Sequence, residues 1–286
     1  MNLAPYFFSY QHVQKKYYEY LLCERRFSMK EKLYTIPLMD ALRAQDECPL
    51  CYARRALEQH AMDFTLGSGA SYMEDDIRMQ TDKAGFCREH YRQMFAYGNR
   101  LGTSLILQTH LKHLSAELER HIASYNTGSK PSFFKRIKKT TDPSIQANNI
   151  STWIFEQSQN CYICEQIETA YERYLATFFD LFRRDEDEFI TLLQNGKGFC
   201  LPHFGDLLAV SERYLNEKEQ TKLREILFPL MKENLQRIIE DLEWFQKKFD
   251  YRYRDADWKN SKDAVQRAMQ KLSLIHISEP TRQAEI

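Results

Sequence analysis

The sequence predicts an all-α protein of two tandem helical units, produced by an internal duplication and each stapled by a Cys3His metal site. Three observations lead to this prediction. The 286 residues include only 9 Gly and 8 Pro, which favours long helices over turn-rich strands. Apolar residues recur at three- and four-residue spacing, the period of a helix. A pattern of cysteine and histidine occurs twice in the chain.

The first copy is predicted to be a unit over 29–125 with five helices. Short helices are expected over 37–44, 52–66, 72–82 and 87–97, and Gly67 and Gly98 are placed where two of them end. A long helix follows and carries one apolar stripe, formed by Leu107, Leu111, Leu114, Leu118 and Ile122.

The second copy is predicted to be a unit over 150–271, joined to the first by a linker over 126–149. The linker contains proline, glycine and a basic stretch over 135–139. Helices are expected over 164–182, from the acidic run 185–188, from Cys200, over 217–249 and over 258–272, the last packing back onto this unit.

Both ends of the sequence are expected to lie outside the domain. Residues 1–28 are interpreted as an over-called leader ahead of a translation start at Met29. Residues 272–286 are interpreted as a translated sequencing adapter.

The equal numbers of basic and acidic residues argue against nucleic acid or an anionic membrane as the partner of this chain. With 40 Lys+Arg against 40 Asp+Glu, the chain has no general electrostatic attraction to nucleic acid or to an anionic membrane. No apolar run approaches the length of about 18 residues that a membrane span needs, and the N-terminus has no secretion signal. These features predict a cytoplasmic protein whose partner is another protein.

Eight residues repeat with one offset. A Cys-x-x-Cys pair is followed by Gly-Phe-Cys-x-x-His in each copy, and corresponding positions lie 113 residues apart. The candidate metal ligands are Cys48, Cys51, Cys87 and His90 in the first copy, and Cys161, Cys164, Cys200 and His203 in the second.

Three thiolates and one imidazole form the ligand set of a structural zinc site. A Cys-x-x-Cys turn lets two sulfurs converge on one ion, and a Cys and a His three residues apart at a helix start share one face. Gly85 and Gly198 can adopt the unusual φ of a tight entry into that helix. A helix N-terminus also stabilises thiolate over thiol.

The sequence leaves two questions open about these sites. Zinc suits the donor set best, and an iron–sulfur cluster is the alternative, since thiolates hold both. The expected arrangement is one site in each copy, which joins two helix starts across a 36-residue excursion between Cys51 and Cys87, but whether the ligand sets pair within or between the units stays open. His110 and His113 are weaker ligand candidates on the long helix.

The chain resembles a family of bacterial domains of unknown function, found mainly in Firmicutes. The resemblance rests on Tyr34-Thr-Ile-Pro37, the Cys48 motif, both Gly-Phe-Cys-x-x-His elements, Phe249-Asp-Tyr-Arg252 and Trp258 with Ser261-Lys-Asp-Ala264. It implies a helical protein with two Cys/His sites over about 29–272, and it implies no activity.

The sequence therefore predicts a zinc-binding protein of unknown function with a binding, scaffold or regulatory role. No catalytic residue is identified, and the sequence has no glycine-rich phosphate loop and no nucleophile elbow. The alternatives are an iron–sulfur protein or zinc–thiolate redox sensor, and a metal-dependent enzyme.

Overall fold

A computed structural model describes residues 32–126 and 149–273. The proposed leader, residues 127–148 of the linker with its basic stretch, and residues from 274 onward lie outside the described residues. Within the described ranges the protein is all-helical and has no strand, so the predicted fold class is confirmed.

Eleven α-helices follow one another in the described ranges. They are α1 (Lys32–Arg43), α2 (Pro49–Leu66), α3 (Asp75–Ala84), α4 (Arg88–Tyr97), α5 (Arg100–Asn126), α6 (Asn149–Gln159), α7 (Tyr162–Arg183), α8 (Asp187–Gln194), α9 (Leu201–Tyr214), α10 (Glu217–Lys247) and α11 (Ala264–Leu272). Two single 3₁₀ turns, Ser71–Met73 and Tyr251–Tyr253, precede α3 and follow α10.

Three helices differ clearly from the sequence-based expectation. Helix α1 begins at Lys32 and includes Pro37, whereas the sequence predicts a helix over 37–44. Helix α11 begins at Ala264 and not at Trp258, because the residues just before it form turns. Helix α6 was not predicted, because Asn149–Gln159 follows a proline-containing linker and has only two short apolar clusters. It packs against α5.

The chain divides into two compact units, and each combines parts of both sequence copies. Among the described residues, unit 1 consists of 58–126 and 149–167, and unit 2 consists of 32–57 and 168–273. The bounds of these compact units differ from those of the sequence copies predicted at 29–125 and 150–271.

Unit 1 has a small core around α3, α4 and α5. Its buried apolar side chains include Met62, Leu66, Ile77, Phe86, Met94, Ile106, Tyr162 and Ile163. His110 on α5 is buried here, and its Nδ1 donates a hydrogen bond to the backbone oxygen of Asp82 at 2.7 Å. This contact gives His110 a packing role.

Unit 2 has a larger, aromatic-rich core. Phe178 makes edge-on contacts with Phe179, Phe189 and Phe199, with ring centroids 5.1–6.1 Å apart. Leucines from six helices complete the core, among them Leu38, Leu50, Leu207, Leu223 and Leu227. Helix α11 packs against α9 and α10, as predicted for the final helix.

Candidate metal centres

The eight predicted ligands come together in two groups of four, each lying inside one compact unit. Unit 1 contains Cys87, His90, Cys161 and Cys164, and unit 2 contains Cys48, Cys51, Cys200 and His203. Pairing within a sequence copy is therefore wrong. Each group takes its Cys-x-x-Cys from one copy and its Cys-x-x-His from the other.

In the unit 1 group the imidazole lies at the centre of the contacts. His90 Nδ1 lies 3.3 Å from Cys87 Sγ, 3.1 Å from Cys161 Sγ and 3.4 Å from Cys164 Sγ. The Cys87 and Cys164 sulfurs are 3.9 Å apart. All four ligand atoms lie within 4.8 Å of one another.

The unit 2 group has the same arrangement. His203 Nδ1 lies 3.3 Å from the sulfur of each of Cys48, Cys51 and Cys200. The Cys51 and Cys200 sulfurs are 3.6 Å apart. Three of its four ligands are fully buried, and Cys51 is partly exposed.

These separations fit one tetrahedral ion. With Zn–S near 2.3 Å and Zn–N near 2.0–2.1 Å, tetrahedral edges are about 3.8 Å between sulfurs and about 3.6 Å between sulfur and nitrogen. The observed sulfur–sulfur distances of 3.6 and 3.9 Å bracket the first value. The sulfur–nitrogen distances of 3.1–3.4 Å lie within about 0.5 Å of the second. The residues present therefore fit a zinc ion, and ligation itself stays a prediction.

Each group is built at the N-termini of two helices. Cys87 and Cys200 are the N-cap residues of α4 and α9, with extended backbone conformations. Cys48 and Cys161 directly precede α2 and α7, and their sulfurs accept hydrogen bonds from the backbone N–H groups of Cys51 and Cys164. Helix N-termini carry partial positive charge, so four helix dipoles favour thiolate at these positions.

The glycine ahead of each N-cap has the positive φ that the sequence predicted. Gly85 has φ +60° and Gly198 has φ +73°. A Cβ built on Gly85 would lie only 2.7 Å from His110, so close packing also requires glycine there. The tight entry turns Cys87 toward the group instead of extending the chain.

The ionisation of the unit 1 group reflects its mutual hydrogen bonds. Hydrogen bonds with Cys161 and Cys164 lower the pKa of the Cys87 thiol, whereas hydrogen bonds with Cys161 and Cys87 raise the pKa of Cys164. Burial opposes protonation of His90, but hydrogen bonds with Cys161 and Cys87 outweigh it and raise its pKa to about 11. Metal binding would therefore displace protons shared within the group.

Glu58, which belongs to neither Cys/His motif and was not predicted as a site residue, contacts the His90 nitrogen that faces away from the cysteines. Glu58 is on α2, and its Oε1 atom lies 3.1 Å from Nε2 of His90. The side-chain amide of Gln93 donates a hydrogen bond to the same oxygen at 2.8 Å. A carboxylate on the far nitrogen directs Nδ1 toward the metal and raises its basicity. The pairing of a ligand histidine with a carboxylate is common in metalloproteins.

The 113-residue offset of the repeat could have identified Glu58, because it relates this residue to a position in the other copy. The 113-residue offset takes Glu58 to Tyr171, and the Tyr171 ring lies against His203 with centroids 5.4 Å apart. The same position therefore supports the histidine in both units, with a carboxylate in one and an aromatic ring in the other. His203 Nε2 is buried and has no hydrogen-bond partner among the described residues.

We expect Glu58→Ala to weaken metal binding by the unit 1 group on the order of 10- to 100-fold, because an outer-shell partner of a ligand histidine contributes that much. Competition with a chromogenic chelator measures the affinity of each site. Glu89→Ala is the matched control, since Glu89 precedes His90 on the same helix but pairs with Arg92. Equal effects of the two substitutions would contradict the assignment.

The remaining candidates from the sequence fall outside the two groups. His110 contacts the Asp82 backbone as described above, and neither His110 nor His113 joins a metal-binding group among the described residues. No helix in the described ranges combines the length and the apolar character needed to cross a bilayer.

Comparisons with other proteins add the family and nothing more specific. No curated protein and no solved structure is significantly similar to this chain. A family model matches residues 29–279, which include all eight candidate ligands. The chain therefore belongs to the family of unknown function DUF6062.

Proposed function

We propose that the protein binds two zinc ions, one in each Cys3His group, and that these ions hold its helical units in shape for a binding or scaffold role. One observation supports this proposal above the others. In each unit, four side chains of suitable type converge so closely that all ligand atoms lie within 4.8 Å of one another.

The spacing favours a single ion over an iron–sulfur cluster. The cysteines of a cluster bind different iron atoms and so stand farther apart than the ligands of one ion. Cluster ligation also uses four cysteines most often, whereas each group here contains a histidine. Thiolate with imidazole is a donor set that suits zinc.

The ligand count favours a structural ion over a catalytic one. Catalytic zinc keeps a coordination position for water or substrate and usually has three protein ligands. Here the protein supplies four, and burial is high for Cys48, Cys200 and His203 in unit 2 and for His90 and Cys161 in unit 1. A coordinated water would have to displace one of them.

A protein partner fits the charge of the chain better than nucleic acid does. Equal numbers of acidic and basic residues give the chain no general attraction to a phosphate backbone. We propose that binding takes place through helix faces, with the metal sites fixing the helices that carry them.

Metal analysis tests the proposal directly. We expect protein purified without oxygen to contain two zinc ions per chain, no iron and no visible absorbance. Iron with acid-labile sulfide and a brown colour would overturn the zinc assignment and make redox chemistry the leading function. A zinc content near zero in folded protein would contradict any structural role for the metal.

A further inference from the structure

One buried cation lies beside the unit 2 metal group and has no role in the proposed ligation. The ammonium of Lys271, on α11, is buried, and the whole residue is only 2% exposed. Its Nζ donates to the backbone oxygen of Glu47 at 2.5 Å and to the backbone oxygen of Lys197. It also pairs with the Glu47 carboxylate at 3.3 Å.

These two carbonyls belong to the two segments that carry the metal ligands. Glu47 directly precedes Cys48, and Lys197 directly precedes the Gly198-Phe199-Cys200 turn. One ammonium group therefore connects the Cys-x-x-Cys segment to the Cys-x-x-His segment. A buried ammonium with charged and carbonyl partners is costly to disconnect, because the charge would be left unpaired.

Unit 1 joins the corresponding segments in a different way. There the backbone N–H of Tyr162 donates to the Gly85 oxygen at 2.9 Å, which links the two ligand segments directly. The 113-residue offset places Pro49 where unit 1 has Tyr162. Proline has no backbone N–H, so this bond cannot form in unit 2.

The Lys271 side chain thus takes the place of a backbone hydrogen bond that Pro49 cannot donate in unit 2. The position of Lys271 depends on how α11 packs, and ion pairs of Arg267 hold α11 in place. The Arg267 guanidinium pairs with Asp241 on α10 at 2.9 Å and with Asp263 at 2.9 Å. Glu47 is held in turn by two hydrogen bonds from Arg237, at 2.6 and 2.8 Å.

We propose that Lys271 is a positioning residue that bridges the two segments carrying the unit 2 metal ligands. The packing of α11 therefore controls how tightly the unit 2 site retains its metal, and it has no such effect on the unit 1 site. The inference rests on the proposed function. If α11 detaches from unit 2, we expect the unit 2 site to release its metal before the unit 1 site does.

The test follows zinc transfer from the full chain to a chromogenic chelator, after the zinc content of each variant has been measured. Cysteines exposed as zinc leaves are labelled with N-ethylmaleimide and identified by mass spectrometry, which assigns each release step to one unit. For Lys271→Met we expect release from Cys48, Cys51 and Cys200 to be faster on the order of tenfold or more. Release from Cys87, Cys161 and Cys164 is expected to be unchanged.

Three further variants separate the effect of the Lys271 contacts from general destabilisation. Lys262→Met is the matched control, because Lys262 is exposed and precedes α11, and it should leave both rates unchanged. Adding Pro49→Ala to Lys271→Met supplies a backbone N–H at the position where unit 1 uses that of Tyr162, and it should recover part of the retention. Lys271→Gln, which removes the charge but keeps an NH2 donor group, serves where Lys271→Met does not fold, and an intermediate rate is expected.

The outcomes distinguish this inference from the function on which it rests. If Lys271→Met leaves the rate of zinc release from unit 2 unchanged, or raises the rates in both units equally, the role of Lys271 is overturned while the two zinc sites stand. A wild-type chain without two zinc ions would instead overturn the proposed function.

Discussion

Replacing Cys48 and Cys200 together is expected to halve the zinc content of the protein, whereas replacing Cys48 and Cys87 together abolishes it. The first pair lies in one group of unit 2, and the second pair takes one ligand from each unit. Both double variants lose the same number of thiolates, so a difference in zinc content reports the pairing alone. Zinc is measured after dialysis against a mild chelator that strips incomplete sites.

A reciprocal pair completes the design. Cys87→Ser with Cys161→Ser should also retain one zinc, because both residues belong to the unit 1 group. If ligands paired within sequence copies instead, Cys48→Ser with Cys87→Ser would spare one zinc and the other two combinations would lose both. The three variants therefore give opposite patterns for the two topologies.

Complete removal of zinc is expected to unfold at least one of the two units. Structural zinc contributes roughly 10 kcal/mol or more of apparent folding free energy, and a whole domain is stable by only about 5–15 kcal/mol. Far-UV circular dichroism should show a large loss of helicity after chelation, and adding zinc back should restore it.

Unit 1 is expected to lose its structure first. Its core is small, whereas the unit 2 ligands Cys48 and Cys200 lie within the large aromatic core formed by Phe178, Phe199 and their neighbours. Unchanged helicity after verified removal of both metals would contradict a structural role. Hydrogen exchange of α4 and α9, which begin at the two metal groups, would show which unit opens at intermediate chelator concentrations.

Local sequence patterns predicted the helices and the candidate ligands for clear physical reasons. The glycines at 85 and 198 act over one helical turn, where local geometry decides the conformation. The apolar stripe predicted on α5 is wrong as a buried face, since Leu111, Leu118 and Ile122 are exposed and the helix buries Ile106 and His110 instead. Helix α6 was missed because its pattern is short. Its place is decided by packing against α5, and that packing is not visible in a local window.

Residues that support the sites from a distance could be predicted only in part. The repeat offset relates Glu58 to Tyr171 and Tyr162 to Pro49, so a comparison of the copies marks these positions. It does not show that Glu58 reaches His90, which is 32 residues away in the chain. Lys271 lies outside the repeated motif, and its contact with Glu47 spans 224 residues.

The sequence alone determined the helical class and the eight candidate ligands, because composition and the short spacings within each Cys/His pattern predict them. Only the tertiary structure decided which ligands meet. The Cys51–Cys87 separation is 36 residues and the observed Cys51–Cys200 separation is 149, yet the closure costs of such loops differ by only about 1 kcal/mol. Spacing therefore cannot select the pairing, and the burial of apolar helix faces in two mixed units does.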